Sequence, residues 1–298
     1  MNILRKIQYS QYWNIGFCEQ TPEELICNKR LKPIKWLKHF YHDRWFADPF
    51  ILRVTDSEIV VFVEECPMDN PKGIICELVI DRKTMCLKKR YVMLELDTHL
   101  SYPAIIRHEG KVYVYPENGA SGKLNIYEYD EVNHKLINPT CILDEAVADA
   151  TIVEHKGRYY LSATQFPDTQ KNAYLYSAES FWGPFKRITE QPYQTDKKQS
   201  RQGGNFFEVY GCLYRPAQNC EIRYGAGLSI MNSNYTSTIN EKLVCQLMPT
   251  NKRYKLGLHT INFHNGLCVI DGYGLYKYIL GNIYYFIRRK LCFYNLIV

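Results

Sequence analysis

Short runs of alternating apolar and polar residues, separated by tight turns, extend over most of this chain. Four segments each predict a strand, a turn that contains glycine, and a second strand that runs back beside the first. Their sequences are SYPAIIRHEGKVYVYPE, ADATIVEHKGRYYLSAT, QGGNFFEVYGCLYRPAQ and GLHTINFHNGLCVIDGY. A fifth segment, ADPFILRVTDSEIVVFVEE, has Asp56 at the turn in place of glycine. The pattern therefore predicts five copies of one hairpin.

The five copies share one register when they are aligned at the turn. The residues eight positions before the turn are Asp48, Tyr102, Asp149, Gly203 and Leu258, at intervals of 54, 47, 54 and 55 residues. This period is the length of a four-stranded propeller blade with its connections. A β-sandwich also has many short strands, but five copies in a single register favour an all-β fold, a five-bladed β-propeller.

The two ends of the chain depart from this repeat. The last copy holds only two clear strands, so the N-terminal sequence YWNIGF is predicted to supply a strand that closes the ring. Residues 18–44 are polar and irregular, which predicts a loop across the surface. We therefore expect a propeller over residues 1–271 and an aromatic and basic tail over residues 272–298.

Charges interrupt the apolar tail at Lys277 and at the cluster Arg288, Arg289 and Lys290. They break any apolar run long enough to span a bilayer. Two interpretations remain open. The tail is either a helix on a membrane surface, with its basic residues towards anionic lipid, or a helix that packs on the propeller or on a partner chain.

Composition and charge narrow the class of protein. The 25 tyrosines suit both β-sheet packing and stacking on sugars. The net charge of +6 is spread along the chain without a basic stripe, which argues against a nucleic-acid partner. The 11 cysteines form no CxxC pair or zinc-type spacing, and the N-terminus has no apolar signal segment. These features predict free thiols and a cytoplasmic protein.

The alignment also predicts where the chemistry is concentrated. In each blade the start of the innermost strand lies beside the end of its antiparallel partner, so both sets of residues meet at one face. The first-strand positions are Asp48, Tyr102, Asp149, Gly203 and His259. The second-strand positions are Glu64 or Glu65, Glu117, Thr164, Gln218 and Asp271. With Arg201 and Arg215 nearby in sequence, this face is predicted to be a pocket rich in carboxylates.

Two of the anchor segments resemble motifs of glycoside hydrolase family 43. They are Ala47-Asp48-Pro49-Phe50 and Ala148-Asp149-Ala150-Thr151. The resemblance implies a five-bladed propeller and an inverting mechanism, in which Asp48 is the general base and Asp149 tunes and orients the general acid.

The fourth copy departs from that family's pattern. The general acid, a glutamate at the same repeat phase, is replaced here by Gln202 or Gly203. Glu117 or Glu65 would have to take its place. His259 lies where some family-43 enzymes have a histidine near a central calcium, but a single histidine is weak support for an ion that prefers oxygen ligands. No metal or other cofactor is therefore expected, with calcium as the alternative.

A longer series of motifs resembles the N-terminal propeller domain of plant glucosamine inositolphosphorylceramide transferases. The series includes FADPF, LSYP, DAT, AESFWGPF, LYRPAQ, Tyr224-Gly225, His259-Thr260 and IDG. Bacterial relatives of that domain occur in the setting of surface polysaccharide synthesis. The resemblance implies a fold and a glycan context more firmly than it implies a reaction.

Together these observations predict a carbohydrate-active protein that acts on a glycan or sugar-phosphate intermediate in surface polysaccharide or glycolipid synthesis. The expected ligand is a carbohydrate or nucleotide-sugar, and enzymatic activity is favoured without being established. The predicted catalytic residues are Asp48, Asp149 and Glu117. The predicted substrate-binding residues are Glu65, Tyr102, Arg201, Arg215, Gln218, Tyr224, His259 and Asp271. The alternatives are a non-catalytic glycan-binding module and, against the polar character of the ring, a protein-interaction propeller.

Overall fold

Five four-stranded antiparallel sheets make up the part of the chain that the computed structural model describes, residues 9–68, 70–235 and 239–277. Each sheet is one blade, so the predicted five-bladed propeller is confirmed. The described chain begins with strand β1 (Tyr9–Glu19), helix α1 (Pro22–Asn28) and strand β2 (Lys35–Trp36). These elements precede the first complete blade.

The next four blades follow the chain in order, and strands adjacent in sequence are adjacent in each sheet. The first consists of β3 (Arg44–Val54), β4 (Glu58–Pro67), β5 (Ile74–Asp81) and β6 (Leu87–Leu94). The second consists of β7 (Ser101–His108), β8 (Lys111–Glu117), β9 (Leu124–Asp130) and β10 (Lys135–Leu143). The third consists of β11 (Val147–His155), β12 (Arg158–Gln165), β13 (Ala173–Ala178) and β14 (Lys186–Arg187). The fourth consists of β15 (Phe207–Val209), β16 (Cys212–Asn219), β17 (Gly227–Tyr235) and β18 (Ile239–Leu247).

The fifth blade joins the two ends of the described chain. Strands β19 (Ile261–His264) and β20 (Leu267–Lys277) are followed in the sheet by β1 and β2. Strand β1 pairs with β20 along its whole length, from Tyr9 opposite Lys277 to Glu19 opposite Leu267. The predicted closing strand YWNIGF is therefore confirmed. Without β1, β20 would expose an unpaired edge.

The segment that follows β1 and the predicted tail differ in part from what the sequence predicts. The irregular loop predicted for residues 18–44 is wrong in part, because this segment contains the end of β1, α1 and β2. Helix α1 begins with a capping box in which Thr21 and Glu24 bond reciprocally to backbone N–H groups. Strand β20 continues six residues past Asp271, and the rest of the predicted tail, residues 278–298, lies outside the described residues.

Apolar side chains from adjacent blades pack into shared clusters. One cluster brings together Ile15 and Phe17 of β1, Phe46 of β3 and Val61 of β4, all essentially buried. The closing strand is thus held by side-chain burial as well as by its hydrogen bonds. No helix among the described residues has the length and apolar character needed to cross a bilayer.

We expect Phe17→Ala to destabilise the protein by about 3–5 kcal/mol, because it leaves a cavity where β1 packs on the first blade. Urea denaturation followed by circular dichroism measures the change. Phe40→Ala is the matched control, since Phe17 is 1% exposed and Phe40 is 92% exposed. A loss below about 1 kcal/mol for Phe17→Ala would contradict a closing role for β1.

Candidate functional site

The first three blades begin with the same backbone irregularity. Asp48, Tyr102 and Asp149 have φ angles of 48°, 46° and 48°, and the pairing of each first hairpin shifts register at that point. A left-handed conformation is uncommon for residues with a Cβ, so the position needs compensation. In the first two blades the next residue, Pro49 or Pro103, has no N–H to leave unpaired. Each bulge changes the direction of one side chain at the inner end of its blade.

Carboxylates from neighbouring elements accept the N–H groups of these three residues. The Asp48 N–H donates to Asp271 at 3.3 Å and the Tyr102 N–H donates to Asp48 at 3.3 Å. The Asp149 N–H donates to Glu117 at 2.9 Å. Each acceptor comes from the preceding blade of the ring: the fifth, the first and the second respectively. The carboxylates therefore connect successive blades as well as lining the site.

His259 carries the positive charge on the Asp48 side of the ring. Its Nδ1 contacts Asp271 and its Nε2 lies 3.6 Å from Asp48. Burial disfavours the charged imidazolium, but the carboxylates of Asp271 and Asp48 outweigh burial and raise the pKa of His259 to about 9. Trp13 of the closing strand stacks on the His259 ring with centroids 4.1 Å apart, where a cation is attracted to the aromatic face.

Asp48 is buried between donors and other acids. Its Oδ1 accepts the Thr260 hydroxyl at 2.6 Å. Burial raises the pKa of Asp48 to about 6, because the charge of His259 only partly offsets burial and the neighbouring carboxylates. At pH 7 Asp48 is therefore mainly ionised and able to accept a proton.

Asp149 and Glu117 form the opposite half of the ring with Arg201. The Arg201 Nε donates to Asp149 at 2.5 Å, its Nη2 lies 3.4 Å from Glu117, and Gln218 donates to Asp149 at 2.6 Å. Burial, followed by the nearby charge of Asp149, raises the pKa of Glu117 to about 8. Glu117 is therefore mainly protonated at pH 7, as a general acid must be.

Glu64, rather than Glu65, belongs to this ring. Burial and then the charges of Asp48, Glu117 and Asp149 raise the pKa of Glu64 well above its ordinary value. Its Oε1 also lies 3.3 Å from Nε2 of His99. Successive side chains on β4 point to opposite faces, so Glu65 is directed away from the ring. Its carboxylate is ion-paired with Arg44 at 2.6 Å and with Arg90.

Counting residues from the turn of each hairpin distinguishes Glu64 from Glu65. Glu117, Thr164 and Gln218 each follow the glycine of their turn by seven residues. If Ser57, the second residue of the glycine-free turn, is aligned with those glycines, the same count reaches Glu64. The site also includes Trp13 and Thr260, for which the repeat gave no signal.

Two other predicted binding residues lie inside the protein. Tyr102 is fully buried, and its hydroxyl bonds to Thr151 at 2.9 Å and accepts the Gly204 N–H at 2.7 Å. Arg215 is also fully buried and forms a bidentate pair with Glu241 of β18, at 2.7 and 2.5 Å. Tyr102 therefore joins the second blade to the third and to the segment before the fourth, whereas the Arg215 pair lies within the fourth blade. Thr164 likewise bonds to a backbone carbonyl, that of Thr169.

Backbone crowding excludes an acid at two positions before the first strand of the fourth blade. A Cβ added to Gly203 would lie 2.6 Å from the Leu228 side chain and 2.9 Å from the carbonyl oxygen of His259. At Gly204, where φ is 136°, it would lie 1.9 Å from the carbonyl oxygen of Ile261. Crowding therefore excludes a glutamate at Gly203 and Gly204, whereas Gln202, the other residue at this phase, holds a buried side-chain amide in place of a carboxyl group.

Asp48, His259 and Asp271 lie closest to a metal-binding arrangement among the described residues. Their potential ligand atoms lie within 4.8 Å of one another. Calcium prefers six to eight oxygen ligands, whereas this group offers two carboxylates and one imidazole. The three residues therefore do not fit calcium well.

Tyr224 connects the ring to the protein surface. Glu117 and Arg201 are each 8% exposed, whereas Tyr224 is 39% exposed and lies edge-on to His259. The Arg201 guanidinium lies over the Tyr224 ring, 5.1 Å from its centroid. Tyr224 is therefore exposed to solvent and in contact with two residues of the ring.

Comparisons with known proteins agree with the fold and the motifs. The sequence profile described as "Glucosamine inositolphosphorylceramide transferase 1, N-terminal" matches residues 27–255. Glucosamine inositolphosphorylceramide transferase 1 of Oryza sativa subsp. japonica is 28% identical over 191 residues, which are 62% of this chain and 26% of that protein. The chain therefore corresponds to about a quarter of the length of that relative.

Solved structures share the propeller at low sequence identity. A family 117 glycoside hydrolase from Zobellia galactanivorans is 11% identical, with a TM-score of 0.56 over 89% of this chain and 90% of the other. The α-L-arabinanase of Cellvibrio cellulosa, in complex with arabinohexaose, is 14% identical, with a TM-score of 0.51 over 68% of this chain and 78% of the other. At these identities the likeness concerns the fold alone.

We expect the free energy of unfolding to fall as pH rises from about 6.5 to about 9, above the range in which His39, whose pKa burial lowers to about 4, opposes the trend. The folded state raises the pKa of Asp48 from 3.8 to about 6, of Glu117 from 4.5 to about 8, and of His259 from 6.5 to about 9. In that window the folded state therefore binds more protons than the unfolded state, so stability is lost as pH increases. Urea denaturation at stepped pH values measures the slope.

Glu117→Gln should make this slope shallower by about 1.4 kcal/mol per pH unit between its two pKa values. Glu190→Gln, at an exposed site, is the control and should leave the slope unchanged. A wild-type stability that is flat or rises over this window would contradict the arrangement of charges described here.

Proposed function

The chain belongs to the family of the N-terminal domain of glucosamine inositolphosphorylceramide transferase 1, and we propose that its carboxyl ring cleaves or transfers a glycosidic linkage. Asp48 acts as the general base and Glu117 as the general acid. The observation that carries this proposal is the separation of their pKa values, about 6 and about 8, within one ring. Two carboxyl groups with pKa values pushed apart by their surroundings are suited to acid and base roles at one pH.

In the proposed mechanism Asp48 accepts a proton from the attacking water or acceptor hydroxyl. Glu117 donates its proton to the oxygen of the leaving group. Asp149 is a positioning residue: its charge keeps the proton on Glu117 beforehand, and Arg201 and Gln218 fix its carboxylate. Glu117 thereby takes the role of the acid that the fourth blade lacks at Gln202 and Gly203.

The charges of the site favour a neutral sugar at the reacting position. Arg201 and Arg215 are ion-paired with Asp149 and Glu241, so neither guanidinium is available for a phosphate without breaking a buried pair. The exposed ring of Tyr224 is suited to stacking on a sugar. We propose a glycan ligand over a nucleotide-sugar, in cytoplasmic synthesis of surface polysaccharide or glycolipid. The names of the relatives, which refer to an inositolphosphorylceramide transferase, support that setting.

A glycan-binding module without catalysis is the second candidate. The observation in its favour is that Asp48, Asp149 and Glu117 accept backbone N–H groups or ion-pair hydrogen bonds that join the blades. Their carboxyl groups would then shape a site that presents a sugar to a partner enzyme.

We expect Asp48→Asn and Glu117→Gln each to lower kcat on the active glycan by about 10²–10⁴-fold. The purified full chain is assayed against oligosaccharides, glycolipid headgroups and nucleotide-sugars, with product detection by mass spectrometry and binding by calorimetry. Asp97→Asn and Glu190→Gln, both exposed, are the matched controls. Binding without turnover would support the second candidate. If the parent chain neither binds nor converts any member of the panel, both candidates are wrong.

We also propose that His259, and not a metal ion, supplies the positive charge between Asp48 and Asp271. Excess EDTA or millimolar calcium should then shift the thermal midpoint of the purified chain by less than about 1 °C, because only a ligand that binds the folded state raises it. A calcium-dependent rise that is lost in His259→Gln would show that an ion binds at these three residues.

A further inference from the structure

Two cysteines face each other across the strands that close the propeller. Cys18 of β1 lies directly opposite Cys268 of β20 in the pairing of the fifth blade. Opposite residues of an antiparallel pair project from the same face, with Cα atoms about 4.5–5.5 Å apart. Disulfides bridge Cα separations of about 4.4–6.8 Å. The register therefore places the two thiols where a disulfide needs little backbone movement.

We propose that Cys18 and Cys268 are an oxidative modification site, at which a disulfide covalently closes the ring. Both side chains are buried in one apolar cluster with Leu228 and Ile270. Among the described cysteines no other two are opposite each other in a strand pair. The pair thus lies within the strand pairing that joins the two ends of the described chain.

The surroundings of the two cysteines favour formation of a thiolate at Cys18. A hydrogen bond from the Cys268 thiol lowers the pKa of Cys18; burial opposes this effect, and the charge of Lys32 adds to it. The same contact and burial raise the pKa of Cys268. Cys18 is therefore the thiol that forms the thiolate more readily, and the thiolate is the reactive form of cysteine.

Hydrogen peroxide is a sufficient oxidant. The Cys18 thiolate attacks one peroxide oxygen and the O–O bond breaks. The departing hydroxide takes up a proton and becomes water, and Cys18 becomes a sulfenic acid. The Cys268 sulfur then attacks the Cys18 sulfur, and the sulfenic hydroxyl leaves as a second water with the thiol proton. Two thiols and one peroxide thus give one disulfide and two waters.

The disulfide would change how the ring is held. With both thiols reduced, β1 is joined to β20 only by hydrogen bonds and packing. The covalent link would enclose residues 18–268, nearly all of the described chain, and long enclosed loops restrict the unfolded state most. Cys268 also lies three residues before Asp271, so the link would fix the strand that holds His259 and the Asp48 N–H. This inference does not depend on the proposed function.

The test compares the folded full chain before and after treatment with hydrogen peroxide. Free thiols are then alkylated, and digestion without reductant followed by mass spectrometry is expected to show a peptide that joins Cys18 to Cys268. The oxidised chain is expected to unfold about 5–10 °C above the reduced chain, with the difference removed by dithiothreitol. This comparison needs no variant.

Two variants make the assignment specific. Cys18→Ser should abolish both the linked peptide and the shift in thermal midpoint. Cys212→Ser, at an exposed position opposite Val209, should leave both unchanged. The proposal is overturned if the exposed cysteines oxidise while Cys18 and Cys268 remain thiols in the folded chain. It is equally overturned if the linked peptide forms without a rise in the thermal midpoint.

Discussion

The pairing of β1 with β20 holds the two ends of the described chain in one blade, and the rest of the ring depends on it. A propeller whose last blade lacked its third strand would expose the unpaired edge of β20. The same pairing positions the site, because Asp271 on β20 accepts N–H groups from His259, Thr260 and, across the blade boundary, Asp48. Closure and site geometry therefore rest on one strand pair.

The carboxylates of the ring have a structural and a chemical effect at once. They accept the N–H groups that the left-handed residues Asp48, Tyr102 and Asp149 turn inward, which compensates an unfavourable backbone conformation. The burial that this requires raises their affinity for protons, and it does so unequally because His259 lies on one side and Arg201 on the other. The same buried carboxyl groups therefore join the blades and have raised pKa values.

The fourth blade lacks the acid that the family-43 pattern places there. The close approach of Gly203 and Gly204 to the backbone of residues 259–261 excludes an acid at either glycine, and Gln202 beside them has an amide in place of a carboxyl group. Glu117, from the second blade, lies beside Asp149 and acquires the raised pKa that an acid needs. The likeness to glycosidases is thus one of architecture and of two anchor aspartates, and in the proposed mechanism the proton donor comes from the second blade.

The sequence by itself determined the blade number, the anchors Asp48 and Asp149, and the closing strand, because a repeat in fixed register carries that information locally. It could also have revealed α1, whose capping box Thr21–Glu24 is a local signal. Only the tertiary structure decided that Glu64 faces the ring while Glu65 pairs with Arg44 and Arg90, and that Arg215 is bound by Glu241. A repeat gives a residue's place along its strand, whereas its charge partners come from strands distant in sequence. Burial, exposure and proton affinity depend on those partners, so they emerged only when the blades were assembled.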